Sequence, residues 1–171
     1  MALVMTPIYT QTVGAGGAST INFNNIPQHF TDLYFVCNYK SQYNGWANSY
    51  ISFNDTSSIY SATISNSQAT NSFENYRQSG NSAAVNGIGG SNVTANTFST
   101  TFIYIPNYTS STFKQIISDF TAENNADGTR LGMAAGLYRS TGAITSASFG
   151  VAMGWAQYST ISLYGIIRSG A

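Results

Sequence analysis

Apolar and polar residues alternate along this chain in short runs, broken by Gly, Asn and Ser. That is the period-two pattern of strands with one buried face. The first run, residues 5–13, ends in a glycine-rich turn at Gly14 to Gly17. Residues 19–23 follow, with Ile21 and Phe23 on one face. Residues 32–39 are apolar on both faces, with Leu33, Phe35 and Cys37 against Tyr34 and Val36. A strand of that kind belongs in the middle of a sheet. Asn44-Gly45 marks a turn, and residues 49–53 alternate with Ile51 and Phe53 inward.

Residues 54–96 are rich in Ser, Asn, Ala and Gly, with small apolar islands at 59–64 and 73–76. They read as a long surface excursion holding one or two short strands. Regular alternation returns at 97–105 and 112–122, followed by a turn at 124–128. Residues 130–139 and 143–154 predict a hairpin across Ser140 to Gly142, and 158–168 give a last strand. Nine or ten strands at such spacing, with helix formers nearly absent, predict an all-β chain. The economical arrangement is a jelly-roll-like antiparallel β-sandwich of about 8–10 strands. Residues 1–13 are expected to form an N-terminal strand or arm at a subunit contact, and 14–171 a single sandwich domain.

Composition changes the picture of the surface. Charged residues make up 7% of the 171, six cations against six anions. An average soluble domain carries about 25%. In their place stand 42 Ser and Thr, 17 Asn and 7 Gln, with 12 Tyr, 10 Phe and 2 Trp. Scattered cations argue against nucleic-acid binding, which needs clustered Lys and Arg. No apolar run approaches the ~20 residues of a membrane-spanning helix, and no cation before Lys40 supplies a secretory n-region. No membrane insertion is expected. A neutral surface lacks the repulsion that keeps proteins apart. Edge strands with few charges need covering, so the edges are expected to pair with a neighbouring subunit.

Candidate chemistry is sparse. One Cys and one His cannot build a disulfide or a zinc site. Cys37, inside the most apolar strand, reads as a small buried hydrophobe. His29 has no nucleophile elbow to serve. Glu123 and Asp127 share a turn, where acidic residues usually cap backbone. No enzyme activity and no cofactor are expected. Tyr43, Trp46 and Tyr50 stand among amides and hydroxyls, the mixture that stacks on and hydrogen-bonds sugars. Packing is the ordinary alternative for them, as it is for Trp155.

A set of segments in fixed order carries a resemblance: IYTQTV at 8–13, INFNNIPQ at 21–28, FTDL at 30–33 leading to Cys37, FND at 53–55, IYIPNY at 103–108 and ISLYG at 161–165. Together they resemble a family of small β-rich virion proteins of tailed bacteriophages, notably those of aquatic bacteria. Its members are capsid decoration (cement) proteins or domains of head or tail fibres. The resemblance implies a jelly-roll-like fold, a structural role in the particle and no catalytic residues. The chain has no long helical or collagen-like stalk, which favours decoration of the capsid over a fibre.

The function expected is that of a virion structural protein, assembled in the host cytoplasm. It would stabilise the assembled head by binding the major capsid protein or other virion proteins, as a homo-oligomer with a trimer favoured. Leu3, Val4, Ile8 and Tyr9 are the candidate capsid or subunit contacts. The alternative is a receptor- or glycan-binding module of a head or tail fibre, contacting a host surface glycan through Tyr43, Trp46 and Tyr50.

Overall fold

A computed structural model describes residues 3–55, 59–68, 72–80, 82–124 and 129–168. Among these residues there are strands and no helix. They run β1 (Leu3–Thr12), β2 (Ala18–Phe23), β3 (Asp32–Tyr39), β4 (Ala47–Phe53), β5 (Tyr60–Gln68) and β6 (Ser72–Gly80). The second half holds β7 (Ala83–Ile88), β8 (Ser99–Ile105), β9 (Lys114–Ala122), β10 (Arg130–Tyr138), β11 (Ala147–Trp155) and β12 (Thr160–Arg168).

The strands form two antiparallel sheets, ordered β1-β12-β3-β8-β9-β10-β5-β6 and β2-β11-β4-β7. Eight of them pair as nested partners: β1 with β12, β2 with β11, β3 with β8 and β4 with β7. Successive pairs fall in alternate sheets, so the chain is one long hairpin rolled over itself. This is jelly-roll connectivity. The remaining four strands are two hairpins, β5–β6 and β9–β10, inserted after β4 and after β8. Both join the large sheet beyond β8 and extend it from four strands to eight.

The core lies between the sheets and follows the alternation closely. In β9 every second residue from Lys114 to Ala122 is buried. Phe23, Phe35 and Phe149 meet edge to face, with centroids 5.2–6.1 Å apart. Tyr39 lies against Trp155 at 4.8 Å. Buried hydroxyls find partners, as burial requires: Tyr39 Oη bonds Ser49 Oγ at 2.9 Å and Thr101 Oγ1 at 3.0 Å. Ile51 and Phe53 are fully buried. So is Cys37, whose thiol burial pushes well above its ordinary range.

Residues 54–96 depart from the expected surface excursion. They hold β5, β6 and β7, and β7 packs beneath the inserted hairpins with Ala83 and Ile88 fully buried. The expected hairpin between 130–139 and 143–154 does not form. β10 pairs with β9 and β5 in the large sheet, while β11 pairs with β2 and β4 in the small one. Between them the chain crosses from one sheet to the other. Buried Lys114 fixes this crossing, its Nζ donating to the carbonyls of Ser110, Ser140 and Gly142. Of the expected turn at 124–128, residues 125–128 lie outside the described residues, Asp127 among them.

Candidate functional site

The outer face of the large sheet is where the structure collects exposed apolar side chains. Antiparallel register aligns residues straight across neighbouring strands. One row places Val36, Phe102, Asp119, Met133 and Ser65 side by side on β3, β8, β9, β10 and β5. The next places Thr121, Leu131, Ser67 and Phe73 on β9, β10, β5 and β6. Phe73 is 67% exposed, Leu131 66% and Met133 60%, with Ile117 and Phe102 beside them. A cleft of about 550 Å³ lies among Phe73, Phe102, Phe120, Leu131 and Met133. Its one carboxylate is Asp119.

Large aliphatic and aromatic groups held in water on a single face mark an interaction surface. Four of the five exposed groups sit on the two inserted hairpins: Ile117 on β9, Leu131 and Met133 on β10, and Phe73 on β6. The eight-stranded roll therefore carries its core, and the insertions carry the patch.

Towards β12 the same face becomes aromatic and polar. Tyr164, Tyr34 and Tyr104 stand opposite one another on β12, β3 and β8. Tyr34 stacks on Phe102 at 6.2 Å, and burial raises its hydroxyl pKa, helped by the nearby Asp119 charge. The face ends at fully buried Asp32. Its carboxylate accepts from Tyr104 Oη at 2.8 Å, the Asn107 amide at 2.9 Å and Arg168 Nη2 at 2.7 Å. This cluster ties β12 to the β8–β9 turn.

The chain matches no family model, no curated protein and no solved structure. Its site rests on geometry.

The N-terminal contact residues lie in a strand of the sandwich itself. β1 pairs with β12 along its length and forms one border of the large sheet. Val4 and Tyr9 are exposed, and Ile8 packs against the core. Tyr9 meets Phe23 edge-on at 6.3 Å. Ile8 and Tyr9 also line a cleft of about 290 Å³ with Asn22 and Pro27, between β1 and β2. Leu3 is described by its backbone alone, opposite Arg168. Pro7 has no amide to offer, and the register shifts between Pro7 and Tyr9. Both features blunt an edge against further strands.

Tyr43, Trp46 and Tyr50 have different surroundings. Trp46, Asn48 and Tyr50 project from the same side of β4 and its approach, following the strand period. Arg130 covers the Trp46 ring at 5.0 Å, and Tyr76 of β6 hydrogen-bonds Asn48 beside it. Tyr43 is exposed in the β3–β4 loop, where its carbonyl accepts from the Ser91 amide at 2.7 Å. The sequence reasoning missed Phe73, Ile117, Leu131 and Met133. For Ile117, Leu131 and Met133 a signal was available, since each is apolar yet out of phase with the buried residues of its own strand.

Proposed function

We propose that the protein is a structural subunit of a bacteriophage virion, most specifically a decoration protein that binds and stabilises the assembled head. The observation that carries the binding role is the exposed apolar face of β8, β9, β10 and β6. The five adjacent strands from β8 to β6, about 4.8 Å apart and each about 25 Å long, present a face of roughly 600 Å². That approaches the ~800 Å² per partner of a standard protein interface. The occupant proposed is another protein subunit of the particle. Asp119, the one carboxylate lining this cleft, asks that partner for one hydrogen-bond donor or cation.

Three further features support the reading. The segments at 8–13, 21–28, 103–108 and 161–165 resemble virion proteins of tailed phages. Jelly rolls recur in viral capsid domains. A net charge of zero suits a protein held permanently among subunits. Binding the assembled shell and not its free parts would stabilise the shell by mass action.

The test is occupancy of purified shells by the full chain and by Leu131→Asp with Met133→Asp. Both side chains are mostly in water, so the double variant should fold normally. It should lose shell binding. Unchanged occupancy would remove this face from the interaction.

A further inference from the structure

Another cleft, of about 490 Å³, opens at one end of the sandwich, among the β3–β4, β7–β8 and β11–β12 loops. Its lining includes Lys40, Gln42, Asn96, Phe98, Gln157 and Tyr158. The apolar patch lies on the outer face of the large sheet, and none of its five large side chains lines this cleft. Its volume falls in the ~300–1,000 Å³ range of small-ligand sites. Its chemistry differs from the sheet face: three planar amides, one ammonium and two aromatic rings.

Tyr158 is the unusual member. It is 68% exposed and has φ +71°, a left-handed conformation that bulky residues rarely adopt. The neighbouring backbone holds it there. The Tyr158 amide donates to the Val13 carbonyl at 2.9 Å, and the Val13 amide donates back to the Ser159 carbonyl at 2.9 Å. The Ala156 amide donates to Lys40 O at 2.8 Å, and the Lys40 amide donates to Ser159 Oγ at 3.1 Å. A strained residue fixed from both sides, with its ring in water, is arranged for something outside the chain.

The other walls are fixed as well. The Gln42 amide donates to Gly154 O at 2.9 Å, and its side chain reaches Gly16 O at 3.4 Å. Gly17 and Gly154, both at positive φ, leave room for that side chain, since a Cβ on Gly17 would lie 2.2 Å from Gln42 Nε2. Lys40 Nζ leans on the Thr94 carbonyl at 3.4 Å. It is the one charged group among the lining residues.

We propose that this cleft binds a saccharide, one ring stacked on Tyr158 and its hydroxyls held by Gln42, Asn96, Gln157 and Lys40. An aromatic face takes the apolar side of a pyranose, and amides supply paired donors and acceptors for vicinal hydroxyls. With its one charged group an ammonium, the lining suits binding and not hydrolysis, which requires a carboxylate pair. The rigid walls lower the ordering cost of binding. This proposal is independent of the assembly face, and either can fail alone.

The experiment is a printed array of neutral and acidic oligosaccharides probed with the full chain, followed by titration of the best hit. Tyr158→Gly removes the ring and suits the local φ, so this variant should stay folded, with an unchanged or higher melting temperature. Its affinity should fall about tenfold, the size of one lost stacking contact. Gln42→Ala should weaken binding as well. Tyr43→Ala, outside the cleft, and Leu131→Asp, on the sheet face, should bind as the wild type does. No retention of any saccharide by the wild type would overturn the proposal. Unaltered affinity in Tyr158→Gly would overturn it too.

Discussion

The guanidinium carbon of Arg130 lies 5.0 Å from the centre of the Trp46 ring, placing a cation from β10 over an aromatic residue that leads into β4. The contact links the two sheets beside the far end of β5, where Arg130 stands opposite Gln68. Burial pulls the Arg130 pKa down, while the nearby Glu74 charge pushes it back up. Trp46 is therefore part of a packed junction.

Replacing Arg130 with Ala should uncover that ring. The expected loss is about 0.5–2 kcal/mol for a partly desolvated cation–π contact. Tryptophan emission should shift to the red, with Trp155 as an internal standard, since it is fully buried with its indole N–H bonded to Phe149 O at 3.1 Å. Unchanged emission would show that Arg130 does not shield the ring in solution.

Asp32→Ala should be among the more damaging single changes. It removes the acceptor of the Tyr104 hydroxyl, the Asn107 amide and Arg168. Arg168 is partly in water and can be solvated, so most of the loss comes from the other two donors. About 2–3 kcal/mol is expected, or roughly 4–12 °C in melting temperature for a chain of this size. Thermal unfolding followed by circular dichroism measures it. A shift of less than a degree would mean that the cluster is not formed.

Alkaline pH should destabilise the fold. Burial raises Cys37 well above its ordinary 9.0, and Tyr34, Tyr76, Tyr104 and Tyr108 above their ordinary 10.0. In each case the folded state keeps a proton that the unfolded chain has released. Their contribution is fully present below those ordinary values and is lost as pH climbs through the folded ones. Lys40 and Lys114, lowered by burial from 10.5, act in the opposite sense. Arg130 is lowered as well, but from 12.5, so between about pH 9 and pH 11 the five raised groups oppose chiefly the two lysines. The melting temperature should hold level to about pH 9 and fall by about pH 11. A melting temperature rising over that interval would contradict the assignment.

Much of the sandwich could be read from alternation, because burial of one face imposes period two wherever a strand meets the core. Ile51, Phe53 and the β9 alternation from Lys114 to Ala122 are examples. β7 escaped because residues 83–88 hold few large side chains, although Ala83 and Ile88 are fully buried. The 130–154 segment misled because Ser140 and Gly142 look like a local turn, whereas the deciding interaction is a buried ammonium 26 and 28 positions away in sequence. The exposed apolar face needed topology. Phe73, Ile117 and Leu131 are scattered along the chain, and only the insertion of two hairpins beside β8 gathers them. Tyr158 gave no sign in sequence, since its importance lies in a backbone angle.

Quantitative mass spectrometry of purified particles tests the central claim most directly, with copy number calibrated against the major capsid protein. A decoration role predicts hundreds of copies per particle. A few to a few dozen would place the protein at a vertex, fibre or tail, where the saccharide cleft would lead the account. Absence from the particle would contradict the virion assignment outright.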